Sequence, residues 1–89
     1  MLFMCIYTYE PKEREAVRKR LIEKGSMVPQ GVKLIGDWSV LAGGRMIRLI
    51  ESDDPMAIAE NSAAWVDLCK LEVIPVIKTE ERIKFLSSK

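Results

Sequence analysis

Residues 32–51 read VKLIGDWSVLAGGRMIRLIE and decide the fold of this chain. Two runs rich in aliphatic and β-branched residues, 32–41 and 45–51, flank the pair Gly43-Gly44. Consecutive glycines between two such runs are typical of the tight turn of a β-hairpin. The stretch therefore predicts two antiparallel strands in the middle of the chain.

The segments around this hairpin predict two further strands. Residues 2–9 are apolar on both alternating faces, which indicates a strand in the interior of a sheet. Residues 70–77 predict the last strand, and Pro75 within it cannot donate a ladder hydrogen bond. We therefore expect the last strand at an edge of the sheet.

Two helices are predicted between the strands, and a third at the end of the chain. The first covers residues 11–24, with Pro11 in its first turn and Gly25 as its stop. The second begins at Asp53-Asp54-Pro55, an acidic cap followed by proline, and residues 79–86 predict a short terminal helix. Helical spacing predicts that the first helix buries Ala16, Val17, Leu21 and Ile22, and the second Met56, Ala59, Ala63 and Val66.

The predicted order is βαββαβ with a terminal helix, a single α+β domain over residues 1–89. In the ferredoxin-like arrangement, four antiparallel strands lie in the order 4-1-3-2 with both helices on one face. The other face of the sheet carries apolar side chains that must be buried against another surface. A second copy of the chain supplies one, so we expect a homodimer and leave a higher oligomer open.

Composition excludes several classes of function. The chain has no histidine and only two cysteines, so no metal, no cofactor and no disulfide framework is expected. A net charge of +1 without a basic stripe argues against nucleic acid as a partner. No apolar run is long enough for a membrane helix, and the short apolar start fits a strand better than a signal peptide. A cytoplasmic location follows as the expectation.

Three segments carry a resemblance to a known superfamily. They are the run LFMCIYTY at 2–9, then Gly36-Asp37-Trp38 leading into Gly43-Gly44-Arg45, and residues 65–68 before LEVIPV at 71–76. With these the chain resembles the dimeric α/β-barrel superfamily, and within it a family of short prokaryotic proteins of unknown function. The resemblance implies a homodimer built by packing sheet against sheet. Other branches include cofactor-free monooxygenases, muconolactone isomerases and haem enzymes, and the absence of histidine argues against haem.

The hairpin supplies the candidate site. A two-residue turn at Gly43-Gly44 places Ser39 opposite Arg48 and Asp37 opposite Ile50, so that the three polar residues share one face. An arginine among apolar neighbours can hold an anionic ligand through a forked pair of hydrogen bonds. The alternative, which we favour, is that Arg48 pairs with Asp37 or with a carboxylate of the partner subunit and only fixes the structure.

The first strand adds an aromatic candidate. Tyr7 shares a face with Phe3, Cys5 and Tyr9, where its hydroxyl could donate a hydrogen bond to an oxygen-rich ligand or serve only as packing. Cys5 is expected to be a small buried apolar residue. Trp38 and Trp65 are assigned to the core or to the dimer contact.

Two functions remain after these exclusions. The first is a homodimeric module that binds a small organic ligand through Arg48, Asp37, Ser39 and Tyr7. The second is a cofactor-independent isomerase or monooxygenase acting on a small aromatic or carbonyl compound. In that case Tyr7 or Asp37 serves as the general acid or base, and Arg48 stabilises an oxyanion. Base stacking on the third strand is excluded because residues 45–50 contain no aromatic residue.

Overall fold

The computed structural model describes residues 1–88 and places four strands and three α-helices along them. Strand β1 (Leu2–Thr8) is followed by a 3-10 turn over Pro11–Glu13 that leads into helix α1 (Arg14–Lys24). The hairpin strands are β2 (Lys33–Ser39) and β3 (Arg45–Glu51). Helix α2 (Pro55–Ala63), strand β4 (Lys70–Val76) and helix α3 (Thr79–Ser87) complete the order.

The four strands form one antiparallel sheet in the order β2-β3-β1-β4. This is the predicted order 4-1-3-2 counted from the opposite edge, so the predicted ferredoxin-like α+β fold is confirmed. Strand β1 lies inside the sheet, as its two apolar faces indicate. Strand β4 lies at an edge and pairs only with β1, so the missing N–H of Pro75 deprives no second strand of a hydrogen bond.

The core lies between the sheet and the first two helices. Cys5 and Tyr7 of β1 are buried there together with Val17 of α1 and Trp65, which lies in the turn after α2. Met46 and Ile50 of β3 complete this layer. The face of the sheet that carries the candidate residues is therefore the face that the helices cover.

Helix α2 presents a different face to the sheet from the predicted one. Ala57 and Asn61 are its buried residues, whereas Met56, Ala59, Ala63 and Val66 are exposed. The predicted stripe was wrong because the buried stripe contains a polar residue, Asn61, which a search for apolar spacing passes over. For α1 the prediction holds in part. Val17 is buried and Leu21 half-buried, but Ala16 and Ile22 are exposed.

The hairpin loop is longer than predicted. The Val40 N–H donates to the Arg45 carbonyl at 3.0 Å, and the Gly43 N–H to the Val40 carbonyl at 2.9 Å, so the loop is four residues long, 41–44. As a result Ser39 lies opposite Met46 and Asp37 opposite Arg48. The predicted pairs of Ser39 with Arg48 and Asp37 with Ile50 were wrong. The shift is two residues, an even number, and therefore Asp37, Ser39 and Arg48 keep their predicted shared face. A bulge between Leu34 and Gly36 moves Leu34, and not Ile35, to that face opposite Ile50.

On the second face of the sheet, no strand residue that the structure describes is fully buried. We call this second face the open face. Its central residues are half-buried in one chain, and Trp38 is 54% exposed and Ile74 39% exposed. The Trp38 ring lies across Gly36, where a β-carbon would clash with the ring atom Cη2. The apolar members of the open face, by strand register, are Leu2, Met4, Ile6, Ile47, Leu49, Trp38, Ile74 and Val76.

Helix α3 contributes no buried residue to the fold. Its apolar side chains, with Ile83 at 56% and Leu86 at 55% exposure, stay near solvent in one chain. Within residues 1–88, no helix combines the length and the apolar character needed to cross a membrane.

Candidate functional site

Arg48 is the centre of a buried polar cluster on the covered face of the sheet. The residue lies on β3 and is 3% exposed. Its Nη1 donates to Asn61 Oδ1 at 2.7 Å, and its Nη2 donates to Asp37 Oδ2 at 3.1 Å and to the backbone carbonyl of Ser26. Only its Nε lacks a hydrogen-bond partner within residues 1–88. Two of the three donor nitrogens are therefore already committed to groups of the protein.

Asn61 joins this arginine to the first strand. The residue is 1% exposed on α2, and its Nδ2 donates to the Tyr7 hydroxyl oxygen at 3.0 Å. A longer contact of 3.9 Å runs from the same Nδ2 to Cys5 Sγ. The Arg48 guanidinium also lies 5.9 Å from the centre of the Tyr7 ring, within the range of a cation–π contact. A single amide thus fixes both Arg48 and Tyr7.

Tyr7 and Cys5 both remain protonated at neutral pH. Burial raises the pKa of the Tyr7 hydroxyl above its ordinary value of 10.0, and the nearby positive charge of Arg48 offsets only part of this effect. Burial likewise raises the pKa of the Cys5 thiol above 9.0. The Tyr7 hydroxyl therefore keeps a hydrogen that it can donate. Cys5 lacks the thiolate character of a nucleophile.

A half-open pocket of about 210 Å³ lies beside this cluster. Its walls come from β1, β2, β3, the end of α1 and the turn after α2. All four predicted site residues line the pocket, namely Tyr7, Asp37, Ser39 and Arg48, and apolar side chains of Leu21, Met46 and Trp65 line the rest together with Ser26 and Trp38. The volume is below the ~300–1,000 Å³ that is common for drug-sized ligands, so the pocket suits a smaller compound.

The pocket contains one charge of each sign. The Arg48 side chain is 4% exposed and the Asp37 side chain 29% exposed, and the two form an ion pair. This is the pairing that we favoured from the sequence. Because the arginine is compensated by a carboxylate at 3.1 Å, the pocket presents no net positive charge to a ligand.

Trp65 supports Tyr7 from the helical side. The two rings meet edge to face with centres 6.4 Å apart. Arg20 lies over the outer face of the Trp65 ring at 5.3 Å and forms a two-pronged ion pair with Asp67, with N–O distances of 2.8 and 2.6 Å. The indole is 1% exposed, as expected for a core residue, whereas Trp38 lies on the open face.

Sequence reasoning missed Asn61 and the Ser26 carbonyl. A signal for Asn61 exists, because it is the only asparagine in the chain and lies four residues from both Ala57 and Trp65. One polar residue in the middle of a buried helical stripe points to a polar partner on the sheet. No local pattern points to Ser26, since a backbone carbonyl carries no residue-specific signal.

No set of three or more His, Cys, Asp or Glu side chains within the described part of the chain is placed to hold a metal ion. The two cysteines, Cys5 and Cys69, are both free and buried. The polar groups available to a ligand are therefore hydroxyl, guanidinium and carboxylate groups.

The fold and the site define a small ferredoxin-like α+β domain with a polar-centred pocket between helices and sheet. The family model described as "Domain of unknown function (DUF3303)" matches residues 1–89, and the chain belongs to that family. This confirms the predicted membership in a family of unknown function.

No curated protein matches the chain. Among solved structures, the chain is similar to one described as a "putative antibiotic biosynthesis monooxygenase" from Deinococcus radiodurans. The identity is 13%, the alignment covers 86% of this chain and 92% of the other, and the TM-score is 0.49.

Proposed function

We propose that the protein is a small-molecule binding module that works as a homodimer. The observation that carries the proposal is the pocket in which Tyr7, Asp37, Ser39 and Arg48 converge among apolar walls. A few placed polar groups in a largely apolar concavity are the usual composition of a ligand site.

The ligand is a compact neutral compound that carries a carbonyl or hydroxyl oxygen. An anion entering the pocket would compete with Asp37 for Arg48, whose Nη atoms already serve three acceptors. Tyr7 accepts a hydrogen bond from Asn61, so its own hydroxyl hydrogen can be directed to a ligand oxygen. The second carboxylate oxygen of Asp37 and the Ser39 hydroxyl can accept from a ligand donor.

The open face supports the homodimer. Its apolar side chains lie directly opposite one another across β1, β3 and β4, as in the pairs Met4–Leu49, Ile6–Ile47 and Met4–Ile74. A second copy presents the same apolar surface, and two such sheets pack face to face at about 10 Å. The chain is short, and the added core compensates for the limited burial that a chain of 89 residues achieves alone.

A pair of nearly isosteric probes tests the ligand class. We expect benzamide, which is neutral, to bind more tightly than benzoate, as measured by ligand-observed and ¹H–¹⁵N NMR titration. Tyr7→Phe is expected to weaken benzamide binding, whereas Tyr9→Phe, at a tyrosine that does not line this pocket, is expected to leave it unchanged. Tighter binding of benzoate, or binding that is indifferent to Tyr7→Phe, would overturn the neutral-ligand assignment.

A second candidate function is a cofactor-independent enzyme of the isomerase type. It is favoured by one arrangement, a protonated Tyr7 held by Asn61 on the same pocket wall as the carboxylate of Asp37. In such an enzyme Asp37 removes a proton from the carbon next to a substrate carbonyl, Tyr7 stabilises the resulting enolate oxygen, and reprotonation at another carbon completes the isomerisation. The Asp37 carboxylate is already engaged by Arg48 in an ion pair, which is why binding ranks first.

Hydrogen–deuterium exchange separates the two candidates. A bound carbonyl compound such as acetophenone exchanges its acidic C–H hydrogens in D₂O faster with an enzyme than in buffer. The rate enhancement is expected to disappear in Asp37→Asn. A pure binding module gives no enhancement with either protein.

A further inference from the structure

We infer that a second site, distinct from the pocket around Arg48, binds an amphipathic carboxylate in the groove between α1 and the hairpin loop 41–44. The groove consists of two adjoining hollows of about 230 and 370 Å³. Tyr9, Arg14 and Gly43 line both hollows. None of the four predicted site residues lines either hollow, although Leu21 of α1 lines both the first pocket and the larger hollow.

The charge of the groove is one-sided. Arg14 and Arg18 line it, and no acidic side chain does. Arg18 pairs with Glu15 at 3.1 Å, but Arg14 takes part in no ion pair within residues 1–88. An unpaired guanidinium at the mouth of a hollow without carboxylates is complementary to an anion.

The loop leaves room for that anion to reach the arginine. Gly43 and Gly44 have φ angles of +85° and +82°, a backbone conformation that suits glycine. A β-carbon at Gly43 would lie 3.7 Å from Arg14 Nη2, so the guanidinium lies directly over a part of the loop that has no side chains. A carboxylate can therefore approach the guanidinium along the bare backbone.

The larger hollow also has an aliphatic wall beside the two arginines. Val17, Leu21 and Ile22 line the larger hollow, and Ile22 is 69% exposed although it is a large aliphatic residue. Arginine side chains beside an aliphatic wall select a ligand with one carboxylate and an apolar body. Octanoate has this chemistry and serves as the probe.

The test is a ¹H–¹⁵N NMR titration of the full chain with octanoate, 1-octanol and octylamine. We expect octanoate to shift the amide signals of Tyr9, Arg14, Gly43 and Gly44, with octanol binding more weakly and octylamine most weakly. Arg14→Gln is expected to lower the affinity for octanoate roughly fivefold, the effect of one partly exposed charge-assisted contact. Lys19→Gln removes the same charge from the same helix outside the groove and is expected to leave the affinity unchanged.

Three results would overturn the second site. They are equal affinity for octanoate and octanol, an equal loss in Lys19→Gln and Arg14→Gln, or shifts confined to Tyr7, Ser39 and Arg48. The last result would mean that octanoate enters the first pocket. Benzamide binding at Tyr7 is measured separately, so the failure of one site is distinguishable from the failure of the other.

Discussion

Asp37 lies directly opposite Arg48 in the β2–β3 ladder, and its Oδ2 is 3.1 Å from Arg48 Nη2. The arginine side chain is almost fully buried, whereas the carboxylate retains contact with solvent at 29% exposure. One partly exposed carboxylate thus compensates a buried charge. This relationship leaves the pocket without net positive charge.

Asp37→Asn is expected to lower the free energy of unfolding by about 1–3 kcal/mol, because it leaves the buried guanidinium without a compensating charge. This expected loss of stability is smaller than for a fully buried ion pair, because Asp37 is partly exposed to solvent. Urea denaturation of Asp37→Asn, Arg48→Met and the double variant measures the coupling free energy between the two side chains. Asp53→Asn, at a side chain that is 94% exposed, is the matched control. Strictly additive effects of the two changes would show that the pair does not act as a unit.

Asn61→Ala is expected to lower the free energy of unfolding by about 2–4 kcal/mol. The change leaves Arg48 Nη1 without an acceptor and the Tyr7 hydroxyl oxygen without its donor, both in buried positions. The neighbouring control Glu60→Ala, at an exposed position of the same helix, is expected to stay within about 0.5 kcal/mol of wild type. Equal denaturation midpoints for the two variants would contradict the bridging role of Asn61.

The sheet could be predicted from the sequence because its signals are local. The two apolar faces of β1 and the proline in β4 fix which strand is inside and which is at an edge. The length of the hairpin loop could not be predicted, since Gly43-Gly44 fits both a two-residue turn and the end of a four-residue loop. The even shift kept Asp37, Ser39 and Arg48 on one face, and so the candidate set survived a wrong register.

The contacts around Arg48 could not be predicted, because they depend on how α2 is rotated against the sheet. The exposed residues Met56, Ala59 and Ala63 of α2 are all apolar, whereas its buried residues include the polar Asn61, so apolar spacing alone selects the wrong face. Choosing between these faces requires the partner on the sheet. That partner is the buried arginine, which the polar side chain of Asn61 satisfies.

Stability is expected to fall at alkaline pH. Burial raises the pKa of Tyr7 above 10.0 and those of Cys5 and Cys69 above 9.0. Each group binds its proton more tightly in the folded chain, so its contribution is complete below the unfolded pKa and is lost as the pH rises through the folded pKa. The free energy of unfolding is therefore expected to decline above about pH 9.

Urea denaturation between about pH 8 and 11, with Tyr7→Phe and Cys5→Ala as comparisons, measures this decline. Each variant lacks one titrating group, so its stability is expected to fall less steeply with pH than that of wild type. Parallel curves for all three proteins would assign the alkaline loss to other groups.

Leu49→Lys is expected to convert the proposed homodimer into a monomer, because it places a charge in the middle of the open face. Sedimentation velocity at low micromolar concentration measures the change. Met56→Lys is the control, since Met56 is 73% exposed on α2 and lies outside that face. A wild-type monomer, or the loss of the dimer in both variants, would contradict the proposed interface.

Native mass spectrometry of the freshly purified, untagged protein with benzamide tests the central claim most directly, because it reports subunit number and bound ligand together. We expect a dimer that takes up one benzamide per subunit, with uptake strongly reduced in Tyr7→Phe and retained in Tyr9→Phe. A monomer would contradict the proposal that a second copy of the chain covers the open face. A dimer that takes up no neutral carbonyl compound would contradict the pocket around Arg48 as a binding site.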